Sequence, residues 1–153
     1  MIRTDRRMRI CTAMIAAILT FIWGNSLLRG EQSQALSQWV KGLLAGVLRP
    51  GSPITGEGGL LRKIAHFTEF SALGFCLAWR CGMGGRKPIA GFLFGAAAAA
   101  ADETIQRFVP GRGPSLWDVL LDSSGVLTGM LLCYLGHTIL KMRKNNKHLE
   151  DKS

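Results

Sequence analysis

At 153 residues the chain is long enough for one domain, and 48% hydrophobic against 19% charged residues is more apolar than ordinary soluble proteins are. Its 19 Lys and Arg against 10 Asp and Glu leave a net charge of +9. The basic residues stand in short clusters beside apolar runs, without aromatic-basic interleaving or a nucleic-acid motif, which excludes a nucleic-acid partner and indicates a membrane protein.

The first apolar segment, ICTAMIAAILTFIWGNSLL (10–28), follows Arg3, Arg6, Arg7 and Arg9. No small-x-small cleavage site comes after it, so it is expected as an uncleaved signal-anchor helix rather than a removed leader. Residues 32–49, QSQALSQWVKGLLAGVLR, place apolar side chains at 35, 36, 39, 40, 43, 44, 47 and 48, a helical stripe with a polar opposite face. That pattern fits an amphipathic helix lying in the membrane interface, and equally a helix covering the protein itself. The stretch PGSPITGEGG (50–59) has the composition of a loop.

Further spans are expected over LLRKIAHFTEFSALGFCLAWR (60–80), over PIAGFLFGAAAAAADETIQRF (88–108), opened by a proline at the favoured first helical position, and from Ser115 to Leu140. The remainder, KMRKNNKHLEDKS (141–153), reads as a polar cytoplasmic tail too short and too charged to fold alone. The fold class expected is all-α: a polytopic membrane domain of four transmembrane helices, with one interfacial amphipathic helix in the first extracytoplasmic loop.

Orientation follows from where the positive charge lies. The N-terminal arginines, the link with Arg80, Arg86 and Lys87, and the basic tail all fall on one side, so both termini are expected in the cytoplasm of a cell-membrane, multi-pass protein. Cys11, Cys76, Cys81 and Cys133 form neither a CxxC pair nor a zinc spacing and are expected as reduced, buried thiols.

With that topology, the unusual polar residues gather at the extracytoplasmic side. At about 1.5 Å of rise per residue, Glu69, Asp102 and Asp122 each lie about 12 Å below the outer end of their helices. Arg62, His66 and Glu69 follow an i, i+4, i+7 stripe, as do Asp118, Asp122 and Gly125; Asp102 aligns with Gln106, and Glu103 with Arg107. Burying these stripes against one another avoids facing lipid, where one charge costs about 2.5 to 3.5 kcal/mol on insertion scales. Plain structural roles compete with functional ones. Asp118 fits a capping-box-like start at Ser115, Glu103 and Arg107 fit a helix-surface pair, and Gly91, Gly95, Gly125 and Gly129 fit close helix packing. His66 fits a proton acceptor, a ligand-contacting donor or a metal ligand. His-x-x-Glu without a second histidine is a weak metal signal, so neither a metal nor a cofactor is expected.

RKIAHFTEF (62–70) followed by ALG, and DETIQRFVPGRGPSLWD followed by DSSG, resemble the two signature regions of VanZ-like membrane proteins. The elements R-K-x-x-H, D-E-x-x-Q-x-x-x-x-x-R and D-x-x-x-D coincide in order and spacing across essentially the whole chain. The resemblance implies a small multi-pass protein of the bacterial cell envelope, in a family whose founding member is similar to an accessory factor in glycopeptide resistance, notably to teicoplanin. It carries over Lys63, His66, Glu69, Asp102, Glu103, Gln106, Arg112, Asp118 and Asp122, to which Arg62 is added from the stripe. Phe70 stands where the family often has tyrosine, so no phenol hydroxyl acts there.

Two functions fit these residues. In a binding module, the Arg, Lys and His groups grip an anionic group of an envelope lipid, a lipid-linked wall precursor or a glycopeptide or lipopeptide antibiotic, above the carboxylates. In a membrane-embedded hydrolase or transferase, Glu69 or Asp102 serves as acid or base with His66 as shuttle, although no serine has a recognisable nucleophile context. A purely structural cluster is an expensive source of interhelical bonds worth about 0.6 kcal/mol each, and a transporter lacks broken helices or a repeat. Membrane lipids are the general partner expected, and a homo-oligomer is allowed.

Overall fold

The computed structural model describes residues 2–28, 58–112 and 115–150, together with Ala35, Gln38, Trp39 and Gly42. Four helices fill the three main stretches: α1 (Ile2–Ser26), α2 (Gly58–Gly84), α3 (Pro88–Gln106) and α4 (Leu116–Glu150). No strand occurs among the described residues. The amphipathic helix expected over 32–49 lies almost wholly outside them, although the four described residues there are each helical.

Each helix follows from an apolar run with little to interrupt it. Helix α1 begins eight residues before the apolar segment, because Asp5 sits in its first turn, where an acid favours the helix dipole, and pairs with Arg9 one turn on at 2.9 Å. Pro88 opens α3 at a position where its missing N–H has no partner to lose. The segment expected as a tail too short and too charged to fold alone does not fold alone but extends α4, which runs past Leu140 through Glu150. Lys, Arg, Met and Leu are good helix formers, no Gly or Pro interrupts them, and adding residues to an existing helix avoids the nucleation cost.

The most extensive contact is between α2 and α4, with α1 against α2 and α3 packed on both α2 and α4. Glycines permit the α2–α4 seam. A Cβ on Gly129 would collide with the backbone carbonyl of Ser71, and one on Gly74 with that of Val126, so the two backbones touch directly. Phe70, Leu73 and Val126 from this seam, with Ile22 of α1 and Ala99 of α3, are fully buried in one apolar cluster. Cys11, Cys76 and Cys81 are buried and Cys133 half-buried, all four as free thiols; the Cys11 thiol donates to the Cys76 carbonyl at 3.3 Å.

By length and composition, Asp5–Ser26 and Leu116–Lys147 are apolar enough to cross a membrane. The outside of the bundle carries large apolar side chains, among them Phe21, Trp79, Leu93, Leu131 and Leu135, while the buried side includes Ser26, Asp102, Glu103, Gln106 and Asp122. The bundle thus combines an apolar core with large apolar side chains on its outside and a small group of buried polar residues at one end.

Candidate functional site

Four helices deliver polar groups to one end of the bundle. On α3 the buried face runs through Gly91, Gly95, Ala98, Ala99, Asp102, Glu103 and Gln106. The small residues bring the helix close and the polar ones arrive inside. Asp102 is fully buried, and its Oδ2 accepts a hydrogen bond from Gln106 Nε2 at 2.7 Å, one turn further on. Gln106 also donates to the Ser26 hydroxyl at 3.3 Å, fixing the end of α1 to α3.

His66 on α2 stands between two carboxylates from different helices. Its Nδ1 lies 3.7 Å from Asp102 Oδ2 and 3.6 Å from Asp122 Oδ2. Glu69, one turn below His66, accepts a hydrogen bond from Asn25 Nδ2 at 3.3 Å. Several oxygens of this cluster are buried without a hydrogen-bond partner: Oδ1 of Asp102, Oδ1 of Asp122, Oε2 of Glu69 and Oε2 of Glu103.

Toward the surface the cluster opens into a cleft lined by Arg62, Lys63, His66, Gln106, Asp118 and Asp122. Lys63 pairs with Asp118 at 3.4 Å across the α2–α4 seam. Arg112, in the turn after α3, donates from Nη2 to the Asn25 carbonyl at 3.2 Å, while its Nε and Nη1 are buried without partners. Burial, together with the neighbouring Arg62, pulls the Arg112 guanidinium below its ordinary value.

The structure therefore brings Arg62, Lys63, His66, Gln106, Asp118 and Asp122 to one cleft, with Asp102 and Glu69 at its base. Glu103 stands at the same end of the bundle but does not line the cleft. Instead of pairing with Arg107, which is exposed, its buried carboxylate accepts the backbone N–H of Ser115 and closes the turn into α4. The helix start at Ser115 is thus capped from α3. Asp118, whose own N–H bonds the Ser115 carbonyl at 3.0 Å, turns its carboxylate to Lys63. Sequence reasoning missed Asn25 and Ser26, whose signal was a polar Asn-Ser pair closing an otherwise apolar run.

A bundle of helices with apolar side chains outside and ionisable groups from three of them meeting at a half-buried histidine defines the class. The chain belongs to the VanZ/LLP1 family, whose model matches residues 10–139. No curated protein and no solved structure matches the chain.

Proposed function

We propose that this VanZ/LLP1 family member is an integral membrane protein of the bacterial cell envelope, with four spans and both ends in the cytoplasm. Its cleft binds the anionic or polar head group of an envelope lipid, a lipid-linked wall precursor or a glycopeptide or lipopeptide antibiotic, and thereby contributes to antibiotic tolerance. The observation that carries this reading is the vertical order of charge: Arg62 and Lys63 line the cleft, and His66, Asp102 and Asp122 lie in and beneath it. Cations at the rim attract an anionic head group, and carboxylates with unfilled acceptor sites take ammonium or hydroxyl groups below it. Charge-assisted contacts in such a shielded place are stronger and more selective than in water. The apolar exterior, with Phe108, Leu116 and Trp117 80%, 83% and 77% exposed beside the site, supports a placement at the lipid interface, where aromatic side chains concentrate.

The test is retention of labelled lipid-linked precursor and of teicoplanin by protein reconstituted in lipid discs, alongside drug tolerance of cells. Asp102→Asn and Asp122→Asn are expected to lower both while the protein still accumulates. Unchanged retention and tolerance in both variants would overturn the reading.

A membrane-embedded hydrolase or transferase is the second reading, favoured by His66 lying within 3.7 Å of two carboxylates, a suitable setting for acid–base work. Against it, the Ser71 and Ser124 hydroxyls are bonded to backbone carbonyls of their own helices, at Phe67 and Leu121. Product release from a labelled lipid-linked substrate, lost in His66→Ala, would favour this alternative over binding.

A further inference from the structure

The centre of the cluster has an unmet need for positive charge. Asp122 is 2% exposed, its Oδ1 has no hydrogen-bond partner, and its Oδ2 lies 3.6 Å from His66 Nδ1. Asp102 is fully buried, with Gln106 on one oxygen and nothing on the other. Among the described residues, no Lys or Arg forms an ion pair with either carboxylate: Lys63 is held by Asp118, and Arg112 is directed to the Asn25 carbonyl. Buried carboxylates in this state call for a cation between them.

We propose that His66, Asp102 and Asp122 hold a divalent transition-metal ion of the Zn2+ class, with one coordination position open toward the cleft lined by Arg62 and Lys63. One ligand atom from each residue lies within 4.8 Å of the other two. The distances from His66 Nδ1 to Oδ2 of Asp102 and of Asp122, 3.7 and 3.6 Å, lie a few tenths above the edge of about 3.3 Å that a tetrahedron with bonds of about 2.0 Å requires, and the carboxylates, whose ligand oxygens are within 4.8 Å of each other, would draw together on the ion. The two His66 distances are further from the edge of about 2.9 Å of an octahedral Mg2+ site. An imidazole beside two carboxylates also suits a borderline ion better than Mg2+ or Ca2+, which favour oxygen alone. The Gln106 amide, bonded to Asp102 Oδ2 and to Ser26, supplies the outer hydrogen bond that fixes a ligating carboxylate. Three protein ligands leave the fourth position of a tetrahedron to a water or to an anionic oxygen entering past the cations. The three ligands come from α2, α3 and α4, so no local spacing announces them, and the expectation of no metal rested on local spacing.

This inference deepens the reading of the cleft as an anion site and rests on it only for the occupant of the open position. Its test uses full-length, tag-free protein in detergent, stripped with a chelator and supplied in turn with Zn2+, Mn2+ and Mg2+. Metal content after gel filtration and affinity by competition with a fluorescent chelator are the readouts. About one Zn2+ per chain is expected, bound more tightly than Mg2+, with a Co2+-loaded sample showing the intense visible bands of a four-coordinate ion. His66→Ala and Asp122→Asn each should weaken Zn2+ at least about tenfold, and Asp5→Asn, at an exposed acid outside the cluster, should not. Wild-type protein that emerges without Zn2+, or an Asp122→Asn variant that binds it equally well, overturns the proposal. Should the variants aggregate, wild-type stoichiometry and the Co2+ spectrum decide alone. A parallel measurement of anionic-lipid retention by loaded and stripped protein separates the two readings: retention without any Zn2+ binding overturns the metal and leaves the cleft, whereas Zn2+ binding without retention does the reverse.

Discussion

Gln106 holds two buried groups at once, the Asp102 carboxylate and the Ser26 hydroxyl, and is itself 5% exposed. Replacing it with leucine removes the one hydrogen bond that a fully buried acid makes among the described residues. A bond to a charged group contributes about 1.5 to 3 kcal/mol, so Gln106→Leu is expected to destabilise by about 2 kcal/mol, read as a lowered unfolding midpoint in detergent. In a double-mutant cycle with Asp102→Asn, part of that loss should disappear, because the asparagine no longer leaves a buried charge unsupported. An unchanged midpoint in Gln106→Leu would contradict the bonding described. At this scale the sequence was informative about residues that break an apolar run: His66, Glu69, Asp102 and Asp122 stand out because charge among lipid-like neighbours has few explanations. Asn25 and Ser26 did not, since small polar residues at the end of a helix are ordinary and their partners, Glu69 and Gln106, are distant in the chain. Of the two readings of Glu103 the pair with Arg107 fails, because i, i+4 spacing says nothing about a backbone N–H arriving from the next helix.

Two glycines on the same helix make contrasting predictions. Gly129 lies where any Cβ meets the Ser71 carbonyl, while Gly136 has nothing within 4 Å of its would-be Cβ. Gly129→Ala should force α2 and α4 apart, with loss of folded protein on gel filtration and loss of the His66–Asp122 proximity that the seam maintains. Gly136→Ala should be neutral or stabilising by up to about 1 kcal/mol, the usual helix preference for alanine over glycine. Equal behaviour of the two would count against the close approach. Helix existence was legible from the apolar runs, and the GxxxG spacing at Gly125 and Gly129 marked a packing face. Which helix it packs on was not, because a small-residue face is compatible with any partner. The ends were misjudged at 141–150 for a different reason: charge was taken as a stop signal, although Lys and Arg propagate helix well in the absence of Gly and Pro.

On the scale of the whole molecule, the proposed orientation has a direct check. Arg86, in the link before α3, and Arg107, just after it, are both exposed at opposite ends of the same helix. In a cysteine-free background, a membrane-impermeant maleimide added to intact cells should label Arg107→Cys and spare Arg86→Cys; the reverse pattern would invert the topology. The gathering of polar stripes at one end of an apolar bundle could be read from composition and stripe alignment, whereas the triangle of His66, Asp102 and Asp122 needed three helices in space. Helix α4 also has a mechanical side. It runs without interruption for 35 residues, a rod of about 52 Å, whereas a bilayer core is only about 30 Å thick. Asp118 and Asp122 ride near one end of that rod, and Lys141, Arg143, Lys144 and Lys147 near the other. In the proposed topology, any ligand that tilted α4 at the cleft would move a basic handle on the far side by leverage, since the helix has no break along the way to absorb it.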